Sequence, residues 1–453
     1  MAFQLYNASA GSGKTYTLTK EYLKILLVAP ANDAYKKILA ITFTNKAVEE
    51  MKSRIVESLI DFTKDEVSEK TADFMQEIAS EIKLDIHSIK LKSRKILKNL
   101  IHNYAAFDIS TIDKFTHRII RTFTHDLNLP TNFDVTLDTD ELLKNAIDVV
   151  VAKAGDDEQL TNILINFAKN KTDDDKSWDV TLDLYEVSKL ILNEEHFFNF
   201  GKMSDKSVED FTKIAEKIKQ KIESNKSKIK ENSKKILDDF TTNNLTKDDF
   251  DRGTFYNHIV NLFQEKATDY DFVNAREITV PKKSNNLEVV ESFSSSWKQK
   301  LTIIYSAQNE NALFDLIIKN MIPLSLINVI YQEYKQLQED QNVLSISDFN
   351  TIIHNEIKDQ PAPFIYERLG DRYRHYFIDE FQDTSQLQWE NFVPLIDNAL
   401  ASEDLDGTKG SLMIVGDPKQ SIYRWRGGKA EQFIDLSQDE NPLSNKDKRV
   451  KNL

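Results

Sequence analysis

Lys14 and Thr15 close the stretch Ala8-Ser9-Ala10-Gly11-Ser12-Gly13-Lys14-Thr15, and both are residue types that handle phosphates. The small residues before them let successive backbone N–H groups converge on an anion. A helix starting near Lys14 would add the positive end of its dipole. Lys14 would then reach the outer phosphates of a nucleotide, and the Thr15 hydroxyl would hold Mg²⁺. The usual loop opens on glycine where this one has Ala8, which is acceptable if that residue keeps φ negative. Far along the chain, Asp379 and Glu380 stand side by side in Phe377-Ile378-Asp379-Glu380-Phe381-Gln382-Asp383. Asp379 suits a magnesium ligand acting through water, and Glu380 suits a base that orients and deprotonates an attacking water. A third set lies in Gly416-Asp417-Pro418-Lys419-Gln420-Ser421-Ile422-Tyr423-Arg424-Trp425-Arg426-Gly427-Gly428. Gln420 is a neutral side chain able to sense a phosphate or the attacking water. Tyr423, Trp425 and Arg426 offer two rings and a guanidinium, a combination suited to stacking on unpaired bases. Taken singly, each stretch also has a plainer reading: a small-residue turn, an acidic turn after a strand, and aromatic packing.

These residues need strands and helices to hold them. Residues 3–7 read as a short strand entering the glycine loop, and a helix from about Lys14 buries Leu18, Tyr22, Ile25 and Leu26 before Pro30. Ile38-Leu39-Ala40-Ile41 reads as a second strand, followed by a helix burying Val48, Met51, Ile55 and Leu59. Strand, helix, strand, helix is the rhythm of a parallel α/β domain. A charged helical stretch occupies about 64–105, and a third strand ends at Asp108-Ile109-Ser110-Thr111. The rhythm returns at His375-Tyr376-Phe377-Ile378 and Leu412-Met413-Ile414-Val415. Between them, residues 136–345 are nearly all helical in pattern, with no internal repeat and no Pro/Gly-rich linker. Within this region Asp205 to Phe240 reads as a solvated surface helix, with Phe211, Ile214, Ile218 and Ile222 at helical spacing. The expected organisation is therefore an α/β domain in two parts, 1–135 and 346–453, split by a helical insertion over 136–345.

The chain has 453 residues, room for about two or three compact units. With 40% hydrophobic and 29% charged residues it has an ordinary globular composition. The absence of cysteine excludes disulfides, iron–sulfur clusters and thiolate zinc sites in this sequence. No basic stretch followed by an apolar run opens the chain, and the longest apolar run, around Ile25 to Ala31, is too short to span a bilayer. A cytoplasmic location without membrane contact is the expectation. The net charge of −14 argues against a generic nucleic-acid coat, while leaving room for a local basic groove.

Together these residues resemble the first motor domain of superfamily-one DNA helicases of the UvrD/Rep group. Thr42-Phe43-Thr44-Asn45-Lys46-Ala47 is similar to a further motif of the group that touches the DNA backbone. Ser110-Thr111-Ile112-Asp113-Lys114-Phe115 resembles another DNA-contacting motif, with Asp113 where histidine is common. Ser345-Ile346-Ser347-Asp348-Phe349 resembles the motif preceding the acidic pair. Within the group, the alanine-led loop, the GDPKQSIYRWRGG stretch and the large insertion are most similar to the RecB/AddA helicase–nuclease subunits. The adenine-contacting glutamine that UvrD and Rep carry well upstream of the loop has no room here, which fits the same branch.

The resemblance implies a RecA-like P-loop NTPase sheet interrupted by a large helical insertion. It implies 3′-to-5′ translocation on single-stranded DNA and duplex unwinding, driven by ATP with Mg²⁺, in repair or recombination. The nucleotide would be cradled by Ala8, Ser9, Ala10, Gly11, Ser12, Gly13, Lys14 and Thr15. Lys14, Asp379, Glu380 and Gln420 would carry the catalysis, with Thr15 and Asp379 on the metal. Thr42, Thr44, Asn45, Thr111, Phe115, Tyr423, Trp425 and Arg426 would contact DNA. A helicase–nuclease partner subunit is a further implication. The family's second motor domain and nuclease domain are expected beyond Leu453. A nucleotide-binding module without motor activity, and a repair helicase without a nuclease, are the alternatives.

Overall fold

The computed structural model describes residues 3–452 apart from 10, 12, 128, 131, 137, 174–176, 197–198, 201, 203–205, 267, 269, 282–283, 358–366, 370–371, 404–406, 408 and 439. The chain divides into two compact units. The first comprises Met1–Asn145, Lys189–Gly201 and Tyr334–Leu453, and the second Ala146–Ser188 and Lys202–Glu333.

The first unit is built on a parallel sheet in the order β3-β2-β6-β7-β1-β8. Its strands are β1 (Phe3–Asn7), β2 (Ile38–Thr42), β3 (Ile109–Thr111), β6 (His375–Ile378), β7 (Ser411–Gly416) and β8 (Lys448–Asn452). A parallel sheet needs helical crossovers that cover both faces, so its strands are apolar on both sides. Here successive residues alternate between two cores: Tyr376 and Ile378 face one, Phe377 the other; Leu412 and Ile414 face one, Met413 and Val415 the other. Helices α1 (Lys14–Val28), α2 (Asn45–Thr63), α3 (Glu69–Ile82) and α4 (Ile86–His102) pack on the Phe377 side through Leu18, Tyr22, Met51, Ile55, Met75 and Ile89. The opposite core receives α5 (Ile112–Thr122), α12 (Ile346–Ile357), α13 (Gln386–Ala401) and α14 (Ala430–Ser437) through Phe115, Phe349, Trp389, Phe392 and Phe433. Two further short strands, β4 (Asp134–Thr136) and β5 (Val343–Ser345), pair in parallel in the same unit.

The second unit is helical, with α7 (Glu158–Asp173), α9 (Val208–Thr242) and α10 (Thr254–Phe263) wholly inside it. Its core gathers Phe240, Phe250, Phe255, Phe272 and the fully buried Trp297. Trp297 keeps its polar atom satisfied by donating from Nε1 to Asp239 Oδ2 at 3.0 Å. The expected solvated helix is α9, and it is corrected in one respect. Ile222, Ile229, Ile236 and Phe240 form a buried face, while Ile214 is exposed. The apolar stripe thus runs at seven-residue spacing beyond Ile222, past the stretch where the local periodicity is clearest.

The unit boundaries fall inside helices, namely α6 (Thr139–Ala152), α8 (Thr181–Leu192) and α11 (Leu287–Gln341). This differs from the expected 136–345 insertion, and 189–201 belongs to the first unit although it lies within that range. Continuous helices carry no composition break at such a boundary, so nothing in the sequence marks it. Among the described residues α11 is also long and apolar enough to cross a membrane by length and composition alone, which corrects the reading that no run is; its most apolar window is 33% buried.

Candidate nucleotide site and nucleic-acid track

The loops carrying the chemistry follow the carboxyl ends of parallel strands, where open α/β sheets form their ligand crevices. Residues 8–13 follow β1, 43–44 follow β2, 379–385 follow β6, and 417–429 follow β7. Ala8 is fully buried, extends the strand by donating its N–H to Gly416 O at 3.0 Å, and does not have the left-handed backbone of Gly11 (φ 76) and Gly13 (φ 89). That is why alanine serves at this position. Gly13 starts α1 with no side-chain cap, and the first turn holds no acid. By contrast α2, α5 and α13 are capped by their own Thr44, Thr111 and Ser385 side chains. The amide groups at the start of α1 are therefore left to an outside anion. Ala10 and Ser12 lie outside the described residues; Ser9 and Gly11 are exposed and Thr15 is half-buried.

Lys14 projects onto the acidic pair. Its Nζ lies 3.0 Å from both Glu380 carboxylate oxygens and 3.4 Å from Gln420 Oε1. The strand places Asp379 by its backbone, with Asp379 N–H donating to Ile41 O at 2.9 Å. Burial, and then the charge of Glu380, push the Asp379 carboxyl up to about 7. Glu380 has φ 51, a left-handed backbone that costs free energy in a non-glycine residue and that collects at functional sites.

A residue outside the expected set joins the two motifs. Gln382 donates to Glu380 Oε2 at 2.7 Å and accepts from Asp417 N–H at 2.9 Å, while Gln420 donates to Asp417 Oδ2 at 2.5 Å. Lys14, Glu380, Gln382, Asp417 and Gln420 thus form one hydrogen-bonded network. Gly416 is required by it, since a Cβ there would stand 2.6 Å from Gln382 Oε1 and 3.0 Å from the Phe433 ring.

A metal would find hard oxygen donors in Thr15 and Asp379. Among the described residues no cluster of three or more His, Asp or Glu could cage an ion. Mg²⁺ characteristically takes one or two protein oxygens together with phosphates and water, so the donor set fits that ion.

The aromatic residues form an open surface. Trp425 and Ile422 are exposed at 75% and 70%, and the Tyr423 ring lies 4.4 Å from that of Phe43, the second residue the expected set omitted. The Arg426 guanidinium stands 5.6 Å from the Phe43 ring and 5.7 Å from the Trp425 ring. Thr44 and Asn45 are exposed at the start of α2. Three expected contacts are corrected. Phe115 is buried in the core and stacked on Phe392 with centroids 5.5 Å apart. The buried Thr42 hydroxyl donates to Thr44 O at 3.2 Å, and Thr111 is spent capping α5 through Lys114 N–H at 3.3 Å. These side chains build the loops and do not line the track. Asp113, in the position where histidine is common, lies 3.9 Å from the Arg426 guanidinium, and burial raises its carboxyl. Asp348 holds the start of α12 by accepting from Ser345 N–H at 2.9 Å and pairing with Lys335 at 2.7 Å.

The family model for the UvrD/REP helicase N-terminal domain matches residues 4–193 and 210–441. The chain belongs to this family. It is 26% identical, over 96% of its length, to an ATP-dependent helicase/nuclease subunit of Lactobacillus helveticus, of which it covers 36%. The like-named helicase/nuclease subunit of Clostridium kluyveri is 26% identical over 95% of the chain, with 34% of that protein covered. RecBCD enzyme subunit RecB of Buchnera aphidicola is 25% identical over 95% of the chain, with 35% of that protein covered. The chain spans about a third of the length of these relatives. A helicase family implies nucleotide use and action on DNA, and the network around Lys14 and the open aromatic surface are the parts of this member suited to each.

Proposed function

We propose that this chain is the ATP-binding motor portion of a DNA helicase that hydrolyses Mg-ATP and translocates 3′ to 5′ along single-stranded DNA. The observation that carries the reading is the pairing of Lys14 with both Glu380 and Gln420 at the mouth of an uncapped helix. Incoming phosphates would compete for the Lys14 ammonium and draw it off Glu380. The freed Glu380 carboxylate then accepts a proton as water oxygen attacks the γ-phosphorus and the bond to the ADP oxygen breaks. Thr15 and Asp379 would hold Mg²⁺, which neutralises charge developing on the phosphates. Gln420 lies between Lys14 and the loop bearing Tyr423 and Trp425, so loss of the γ-phosphate can be felt at the base-stacking surface. The relatives' names support a role in a helicase–nuclease with partner subunits, acting on duplex DNA in repair or recombination in the cytoplasm. DNA-stimulated ATP turnover by the full-length protein tests the reading. Glu380→Gln should abolish turnover, and turnover at the wild-type rate in that variant would refute the assignment.

A further inference from the structure

The stretch that the family model leaves unmatched begins at Glu194. This residue opens a 3₁₀ turn, Glu194–His196, in the short segment 189–201 that belongs to the first unit. Its carboxylate accepts hydrogen bonds from Ser385 Oγ at 2.6 Å and from Asn350 Nδ2 at 2.7 Å. Asn350 sits on α12 and is itself held to α13, its backbone carbonyl accepting from Asn391 Nδ2 at 2.9 Å. Ser385 is the cap of α13, three residues past the Gln382 that binds Glu380, and it bridges to Gly428. Gly427, with φ 85, closes the turn Arg424–Arg426; a Cβ on it would stand 3.4 Å from Ser385 Cβ and 3.7 Å from Glu194 Cβ. Lys429 N–H donates to Thr384 O at 3.1 Å, fastening the same turn from its other end. The turn that carries Tyr423, Trp425 and Arg426 is thus seated on Thr384 and Ser385, with Glu194 packed beside both Ser385 and Gly427.

We propose that Glu194 is a positioning residue for the single-strand track, holding Ser385 and the Gly427–Gly428 turn so that Tyr423, Trp425 and Arg426 present one continuous stacking surface. The proposal rests on the reading of that surface as a DNA contact. Two hydrogen bonds from different helices fix the carboxyl in place, whereas a residue serving only as filler would need neither. Burial pushes this carboxyl up to about 7, so a neutral amide of the same shape is an acceptable replacement. Asp113 adds to the shift and is also the acid 3.9 Å from Arg426, so the pocket beneath the turn is already acidic.

The test is fluorescence-anisotropy titration of a labelled oligo-dT with the 453-residue chain, alongside thermal melts of each variant. Glu194→Ala should bind at least about fivefold more weakly at a temperature where it is fully folded. Glu194→Gln should restore wild-type affinity to within about twofold. If the alanine variant does not fold, Glu194→Asp carries the same expectation, because a side chain one methylene shorter cannot reach both donors. Wild-type affinity in a folded Glu194→Ala or Glu194→Asp variant, or a glutamine variant as weak as alanine, would overturn the proposal while leaving the DNA reading intact. A wild-type chain that binds no oligonucleotide would overturn the DNA reading, and this inference with it.

Discussion

Trp425 exposes 75% of its surface while Phe115 exposes 1%, so truncating each ring should be felt in different measurements. Trp425→Ala should weaken single-strand binding by about 1–3 kcal/mol, the usual contribution of one base stack. Its melting temperature should not move, and neither should the dependence of affinity on salt, which reports phosphate contacts. Phe115→Ala should lower stability by about 3–5 kcal/mol, because it leaves a cavity beneath α13 where the ring packs on Phe392. Paired melts and oligonucleotide titrations separate the two. A Trp425 variant that melts early and binds as before would return that ring to the core.

The elements explain which residues could be read in advance. Lys14, Asp379, Glu380 and Gln420 stand in short motifs at strand ends, where chemistry and local sequence coincide. Gln382 and Phe43 lie within recognisable motifs, but their roles exist only once the loops after β6 and β7, or β2 and β7, are side by side. Glu194 is 191 residues from Ser385, and no local pattern could have joined them. Thr42, Thr111 and Phe115 turn away from the track because a motif's position does not say which of its side chains point inward. His258 on α10 shows the same limit in the second unit: it is fully buried between Thr268 Oγ1 at 2.7 Å and Tyr305 OH at 2.8 Å. Burial pushes it down to about 4. Its folded value lies below the unfolded one, so its contribution to stability is complete above about pH 6.5 and is lost as pH falls toward 4. At pH 5 this single group should cost about 2 kcal/mol. Melts followed between pH 7 and pH 5 should show that loss in wild type and a flatter profile in His258→Gln; equal slopes would place the acid sensitivity elsewhere.

At the scale of the whole molecule, the parallel sheet and its helical interruption were legible because hydrophobic periodicity switches between 2 and 3.6 along the chain. The division into units was not, since its boundaries run through α6, α8 and α11. The net charge of −14 said nothing about the site either, because one ammonium between Glu380 and Gln420 decides it. Calorimetric titration of Mg-ATP into wild type, Lys14→Ala and Glu380→Gln tests that centre most directly. Wild type should bind, and Glu380→Gln should bind at least as well, since it releases Lys14 from its carboxylate partner. Lys14→Ala should lose at least about tenfold in affinity, or about 1.4 kcal/mol. A Lys14→Ala chain that binds Mg-ATP as tightly as wild type would contradict the account.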